Sequence, residues 1–230
     1  MNFLAHGYRW LDRPYFLIGT AVPDWAVVAD RTLRIRPARV GRWCMGGEPG
    51  AELARGILQH LRDDACFHSS AVFVNLSAEL TGRIGALLQD GQSIRPAFLG
   101  HLLTELLLDA AIAQDDAGLV SRYYRVIASV APEEIEAMVG AIVGRATDRL
   151  APFIRRFLAA QVLWDYLDDR ALVNRINQVL RRVGLPTVSD RFGGLLPAAR
   201  KLVRRHREGL LESVISAPAG VLGDELPSYL

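Results

Sequence analysis

Apolar residues recur every three to four positions through most of this chain, a spacing that predicts helices rather than strands. The clearest helical patterns occupy 51–68, 96–113, 132–150, 152–169, 170–184 and 197–215. Pro96 and Pro132 open two of them, as expected at the first turn of a helix. Val27–Trp43 is the only stretch that we consider for β structure. The pattern therefore predicts an all-α bundle of roughly eight to ten helices.

Breaks in the helical pattern fall at 44–50, 89–93 and 184–194, where glycine, proline and small polar residues cluster. The last break is the longest candidate linker, but the segment that follows it is too short to form a domain. A chain of 230 residues with 50% hydrophobic residues can bury one sizeable core. We therefore predict a single domain over 1–230, with an irregular tail from about residue 217.

Composition excludes some classes of protein. A formal net charge of +2 gives no reason to expect a nucleic-acid partner. Cys44 and Cys66 form no CxxC pair and no disulfide framework, which suits a reducing compartment. No secretory signal pattern opens the chain, and polar residues interrupt the apolar segment Phe98–Ala113, so we expect no transmembrane segment. The protein is predicted to be cytoplasmic, and its oligomeric state is left open.

Two of the predicted helices carry histidine and carboxylate side chains at four-residue spacing: His60, Asp64 and His68, then His101, Glu105 and Asp109. Side chains four residues apart lie one helical turn apart on the same face. Glu105 lies among leucines on a helix with hardly any polar face, and a buried carboxylate is costly unless it is paired or bound to metal. Two interpretations stay open, an inward-facing metal site or ordinary ion pairs within each helix.

Five further residues have weaker claims to function. His6 follows an apolar run, and Asp24 follows a proline, so each is either a metal ligand or a local cap, turn or core hydrogen-bonding residue. Asp63 lies about 100° away from the first stripe and is expected to be a solvated acid. His206 is expected on the surface of a basic helix. Arg62 is a candidate for holding a phosphate.

Four short segments resemble motifs of the acyl carrier protein phosphodiesterase family: "MNFLAH", "GTAVPD", "GILQHLRDD" and "LGHLLTELL". The resemblance covers the first half of the chain. It implies a helical fold related to the HD-type metal phosphohydrolases and a divalent ion such as Mn²⁺. It also implies cleavage of the phosphodiester that joins 4′-phosphopantetheine to a serine of acyl carrier protein. Carried over position by position, it implies the ligands His6, Asp24, His60, Asp64 and His101.

The chain departs from that family at two positions. Gly100 stands before His101 where the family has aspartate, and His68 stands where the family tends to have aspartate. The first change would remove a ligand, for which Glu105 or Asp109 could substitute. A second resemblance, to zinc-dependent phospholipase C-like proteins, rests on "GTAVPDW" and "FLGHLLTELLLD". Both resemblances imply metal-assisted hydrolysis of a phosphoester, but they imply different substrates.

The sequence thus predicts a metal-dependent phosphodiesterase that uses Mn²⁺ or Zn²⁺ and acts on a phosphoester, with acyl carrier protein as the partner that the first resemblance implies. The predicted metal ligands are His6, Asp24, His60, Asp64, His68, His101 and Glu105. Asp64 and Asp109 are the candidates for a general base. The alternative is a non-catalytic helical module with a structural metal or a degenerate active site.

Overall fold

The computed structural model describes residues 1–88 and 95–215, and these residues form helices and loops without strands. The α-helices are α1 (Phe3–Gly7), α2 (Pro14–Ala29), α3 (Pro37–Gly41), α4 (Pro49–Ser69), α5 (Ala71–Leu87), α6 (Pro96–Asp115), α7 (Leu119–Ala128), α8 (Pro132–Val143), α9 (Leu150–Ala160), α10 (Asp169–Arg182) and α11 (Leu196–Ile215). Short 3-10 helices occupy Val162–Leu167 and Asp190–Leu195. The all-α, single-domain architecture is confirmed. The predicted break at 89–93 and the irregular tail lie outside the described residues.

The segment proposed for β structure, Val27–Trp43, is not a strand. Helix α2 continues to Ala29, a loop follows, and Pro37 begins the short helix α3. Leu33, which lies in this loop, is buried and packs into the core. The apparent strand pattern arose because apolar residues of a loop and of a one-turn helix alternate with exposed arginines.

Two predicted helices are shorter than their apolar patterns. Helix α8 ends at Val143 because Gly144 adopts a left-handed conformation with φ 68°. The pattern over 152–169 is split at Gln161, which has φ 44° and separates α9 from the following 3-10 helix. Side-chain periodicity continues through both points, so it does not reveal where the backbone turns.

Helix α1 lies inside the bundle, in contact with α2, α4, α6 and α7. The pairs α2–α4 and α5–α6 are the most extensive, and α11 closes the bundle against α4, α5 and α6. One apolar core runs through the described residues. This arrangement brings α1, α2, α4 and α6, which carry the candidate ligands, around a common interior.

Helices α2 and α4 cross in backbone contact at two glycines. A Cβ atom on Gly19 would lie 2.3 Å from the carbonyl oxygen of Leu53, and one on Gly56 would lie 2.1 Å from the carbonyl oxygen of Phe16. These distances are far below van der Waals contact, so neither position accepts a side chain without separation of the helices. Both glycines belong to the short motifs noted in the sequence, "GTAVPD" and "GILQH".

Helix α6 is both long and strongly apolar. Among the described residues it is the one helix that is long and apolar enough to cross a membrane, but two thirds of its most apolar window is buried inside the protein. A core helix of a soluble protein meets the same criterion, so the predicted absence of a membrane span stays a prediction. Of its polar residues, Thr104 and Asp109 are fully buried, and the Glu105 side chain is 15% exposed.

Candidate metal centre

Three residues from two helices form what we call the inner group, His6, His60 and Asp64. Their candidate ligand atoms all lie within 4.8 Å of one another. Nε2 of His6 lies 3.2 Å from Asp64 Oδ1, and Nε2 of His60 lies 3.4 Å from Asp64 Oδ2. The two imidazole rings stack with centroids 4.0 Å apart. Both rings thus direct the same nitrogen to one carboxylate.

The other nitrogen of each ring is held by the protein. Nδ1 of His60 lies 2.7 Å from the carbonyl oxygen of Thr20, and since a carbonyl only accepts, Nδ1 carries the hydrogen. Nδ1 of His6 lies 3.1 Å from Oδ2 of Asp63. Metal-binding histidines usually donate their second ring N–H to a carbonyl or carboxylate, which fixes the tautomer and the ring orientation.

Asp63 is not the solvated acid that the sequence predicted. It is fully buried and binds both His6 and the side-chain amide of Gln59, whose Nε2 donates to Oδ1 at 2.5 Å. The prediction was wrong because the burial of Asp63 depends on a second helix that the local sequence pattern does not reveal. Helix α1 packs on that side of α4 and buries Asp63 beneath His6.

Asp24 is the fourth residue near the inner group. Its Oδ1 lies 3.9 Å from His60 Nε2, and its side chain is 37% exposed. It lies inside α2 together with Pro23, so the expected alternative of turn chemistry does not apply. Pro23 has no N–H to donate to the carbonyl of Gly19. The neighbouring carbonyl, that of Thr20, accepts the hydrogen bond from His60.

A second cluster, the outer group, consists of His68 at the end of α4 and His101 and Glu105 on α6. Their candidate ligand atoms also lie within 4.8 Å of one another. Nε2 of His68 lies 2.8 Å, and Nε2 of His101 3.1 Å, from the same Oε1 of Glu105. Phe73 packs edge-on against both imidazoles, with centroid distances of 5.0 and 4.9 Å. The sequence predicted this cluster only in part, since it placed His68 with His60.

The amino nitrogen of Met1 lies between the two groups. It donates to Asp64 Oδ1 at 2.6 Å and to Glu105 Oε1 at 3.1 Å, and it lies 3.4 Å from His68 Nε2. Because one atom contacts members of both groups, the groups face the same small space. This space accommodates positive charge between two carboxylates.

The two carboxylates beside Met1 are held in the ionised form. Burial raises the pKa of Asp64, but the ammonium of Met1 and the contacts with His60 and His6 outweigh it and hold that pKa well below its usual range. Burial likewise raises the pKa of Glu105, and the Met1 ammonium with the hydrogen bond from His101 reverses the effect. Ionised carboxylates are the form that binds cations.

His6 is protonated at neutral pH in the metal-free protein. Burial lowers its pKa, but hydrogen bonds to Asp63 and Asp64 more than compensate and raise the pKa to about 9. A metal ion at the inner group would have to displace this proton, since imidazole binds metal in its neutral form.

Asp109 belongs to neither group. It is fully buried, and its two oxygens accept hydrogen bonds from the backbone N–H groups of Leu4 and Ala5 at 2.9 and 2.8 Å. Helix α1 has no side-chain cap of its own, so Asp109 caps it from α6. Burial raises the pKa of Asp109 to about 7 although both N–H groups lower it. It therefore positions α1 and His6, and its geometry does not support the predicted role as a general base.

The departures noted at Gly100 and His68 have different consequences. A Cβ atom on Gly100 would lie 2.3 Å from Thr81 Oγ1 and 2.7 Å from the carbonyl oxygen of Ser77 on α5. This position faces α5, so an aspartate there would not reach the metal centre, and its absence costs this chain no ligand. His68, by contrast, supplies one of the three members of the outer group.

Two minor expectations concern residues outside both groups. His206 is exposed on α11, as predicted. Arg62 is half-buried on α4, and its predicted contact with phosphate stays a prediction.

Comparisons with known proteins add no further constraint. No family model matches this chain, and neither a curated protein nor a solved structure does. The case for metal binding therefore rests on the geometry of the two groups.

Proposed function

We propose that this protein is a metal-dependent phosphodiester hydrolase whose ion is held by the inner group, with Asp24 completing the ligand set. One observation carries the proposal. The Nε2 atoms of His6 and His60 face Asp64, while their Nδ1 atoms are engaged by Asp63 and Thr20. An ion pair needs no such orientation of two neighbouring imidazoles, whereas a metal centre does.

The position of the carboxylates favours catalysis over a purely structural metal. Structural zinc sites are closed to solvent, whereas catalytic sites keep one coordination position open. Asp64 is 31% and Asp24 37% exposed, so solvent reaches this side of the centre. His6 and His60 close the opposite side, since they are buried. A substrate could approach over the carboxylates.

A divalent ion bound there would polarise a phosphoryl oxygen and lower the pKa of a bound water. The chain itself supplies the orientation. Asp63 and Thr20 keep the two imidazoles in one tautomer, and Asp109 holds α1 at the depth where His6 reaches Asp64. Asp64 faces both imidazoles and is the carboxylate ligand at the centre of this site.

The substrate class follows from the motifs that the inner group uses. Of the residues that the resemblance to acyl carrier protein phosphodiesterases implies, His6, Asp24, His60 and Asp64 lie together, and His101 lies in the outer group. This supports a phosphodiester substrate, with the phosphopantetheine link of a carrier protein as the first candidate. A phospholipid, implied by the likeness to phospholipase C-like proteins, is the second.

The test begins with protein stripped of metal and reloaded with Mn²⁺ or Zn²⁺. Bound metal and hydrolysis of bis(p-nitrophenyl) phosphate are measured, followed by release of phosphopantetheine from a loaded carrier protein. His60→Ala should reduce hydrolysis about 100-fold or more, because it removes a ligand and leaves Thr20 without its partner. His206→Ala, at an exposed histidine on α11, is the control and should leave both measurements unchanged.

Two results would contradict the proposal. One is wild-type protein that binds no metal after reloading, and the other is full hydrolysis by the His60→Ala variant. A bound ion without turnover of any phosphodiester would instead support the non-catalytic module with a structural metal.

A further inference from the structure

The outer group has the composition of a second metal site. It offers two imidazole nitrogens and one carboxylate, a donor set that suits Zn²⁺ and Mn²⁺. Both Nε2 atoms converge on one oxygen of Glu105, at 2.8 Å from His68 and 3.1 Å from His101. Glu105 is 15% exposed and lies among the leucines of α6, so solvent compensates little of its charge.

The outer group lies next to the inner group. His68 follows Asp64 by one turn of α4 and therefore lies on the same face of that helix. The amino nitrogen of Met1 contacts Asp64 and Glu105 together, so their oxygens cannot be farther apart than the sum of 2.6 and 3.1 Å. Two-metal sites of hydrolases hold their ions about 3.5–4 Å apart, which ligands this close can achieve.

We propose that the outer group binds a second divalent cation beside the inner one and that the pair binds a phosphodiester between them. The inference rests on the proposed function and extends it from one ion to two. Asp64 lies at the boundary, where its two oxygens can serve both ions. On the phosphodiester of the proposed function, two adjacent cations would stabilise the attacking and leaving oxygens of an in-line displacement.

The two ions should bind with unequal affinity. The inner imidazoles are buried and held through Nδ1, whereas no described residue binds Nδ1 of His68 or His101. Edge contacts from Phe73 to both rings and from Phe67 to His68 orient the outer group, and the His101 side chain is 36% exposed. Since partners of this kind change metal affinity by about 10–100-fold, the outer ion should be the weaker by a similar factor.

The experiment is a titration of metal-free, full-length protein with Mn²⁺. Bound manganese is counted after equilibrium dialysis, and electron paramagnetic resonance tests for spin coupling between ions. Wild-type protein should bind two ions in two steps, and the second step should produce the multiline signal of a coupled pair. Glu105→Gln and His101→Ala should each retain the first step and lose the second with its signal.

Matched controls separate this result from a general loss of structure. Glu79→Gln changes an exposed glutamate that pairs with Arg83 on α5, and it should leave both steps intact. His101→Ala is the less disruptive of the two outer variants because its side chain is partly exposed. Circular dichroism of each variant confirms that the helices are retained.

The outcomes distinguish the inference from the proposed function. A single ion at saturation, with phosphodiester hydrolysis intact, would overturn the second site and leave the proposed function standing. Two coupled ions without any hydrolysis would support the second site and overturn the proposed function. Two ions that persist in both outer variants would overturn the assignment of the second ion to this group.

Discussion

The inner and outer groups have the same composition, two histidines and one carboxylate, but differ in how the protein supports them. In the inner group each ring is held at both nitrogens, by Asp64 on one side and by Asp63 or Thr20 on the other. In the outer group both rings converge on Glu105 and pack against Phe73. Equal ligand sets therefore do not imply equal sites, because orientation is supplied by the residues behind the ligands.

The largest expected difference between the groups concerns pH. The pKa of His6 is raised from 6.5 to about 9 in the metal-free fold. The stability that its protonated form contributes is therefore fully present below pH 6.5 and is lost as pH rises through about 9. The loss is on the order of 3 kcal/mol in the free energy of unfolding. The pKa of Asp109 is raised from 3.8 to about 7, so this residue also makes the free energy of unfolding fall as pH rises, but between these two lower values.

Urea unfolding of metal-free protein from pH 6.5 to 9 measures this loss. His6→Gln, which can still hydrogen-bond to Asp63, should flatten the slope between pH 6.5 and 8, whereas His101→Ala in the outer group should retain it. Above pH 8 the Met1 ammonium, whose pKa is raised from 8.0 to about 11, adds a loss of its own in both variants. Metal affinity should change in the opposite sense and rise with pH over the same window, because metal and proton compete for His6. Equal slopes in both variants would remove the distinction between the groups.

Next in size is the effect of the α2–α4 crossing, which serves the inner group. Gly56→Ala should lower the free energy of unfolding by about 1–3 kcal/mol, since its Cβ would meet the backbone of Phe16. The first step of metal binding should weaken with it. Thermal unfolding and manganese titration measure both effects.

Gly85→Ala on α5 is the matched control for this change. A Cβ there meets no other atom within 4 Å, so alanine should raise the free energy of unfolding by roughly 0.5–1 kcal/mol. Equal destabilisation by the two alanines would show that the crossing is not under steric constraint.

The last prediction tests the support behind His6. Asp63→Asn keeps the size of the side chain but removes the carboxylate that binds Nδ1. The affinity of the inner ion should fall by about 10–100-fold, with the number of ions unchanged. Asp116→Asn, at an exposed aspartate paired with Arg122, is the control for loss of one negative charge. Unchanged affinity for Asp63→Asn would mean that ring orientation does not distinguish the two groups.

Most of the helical framework could be predicted from the sequence, but the composition of each group could not. Periodicity placed His60, Asp64 and His68 on one stripe, and the apolar surroundings of Glu105 indicated that it is buried. The stripe nevertheless divides between two groups, because His60 and His68 are two turns apart and face different neighbours. Those neighbours, α1 and α6, are far away in sequence, and no local pattern shows where they pack.

Asp63 and Gly100 show that contacts from another helix can either give a residue a role at the site or exclude it from one. Asp63 was predicted to be solvated because it lies off the stripe, but α1 covers it and makes it a partner of His6. Gly100 was interpreted as a lost ligand because it precedes His101, but its α-carbon faces the backbone of α5. In both cases the deciding atoms come from another helix. The neighbouring sequence indicated such a role only for Asp63, because Gln59 lies one turn earlier and can donate a hydrogen bond to it.

The glycine contact between α2 and α4 also limits how far the centre can deform. His60 lies four residues beyond Gly56, or about 6 Å along the helix from the point where the backbones touch. Because His60 is so close to this contact, a change of about 10° in the crossing angle moves the start of its side chain by only about 1 Å. Asp24 lies five residues beyond Gly19 on the opposite helix, at a similar distance from the contact. Bending motions that change the shape of the rest of the bundle would therefore displace these two side chains only slightly.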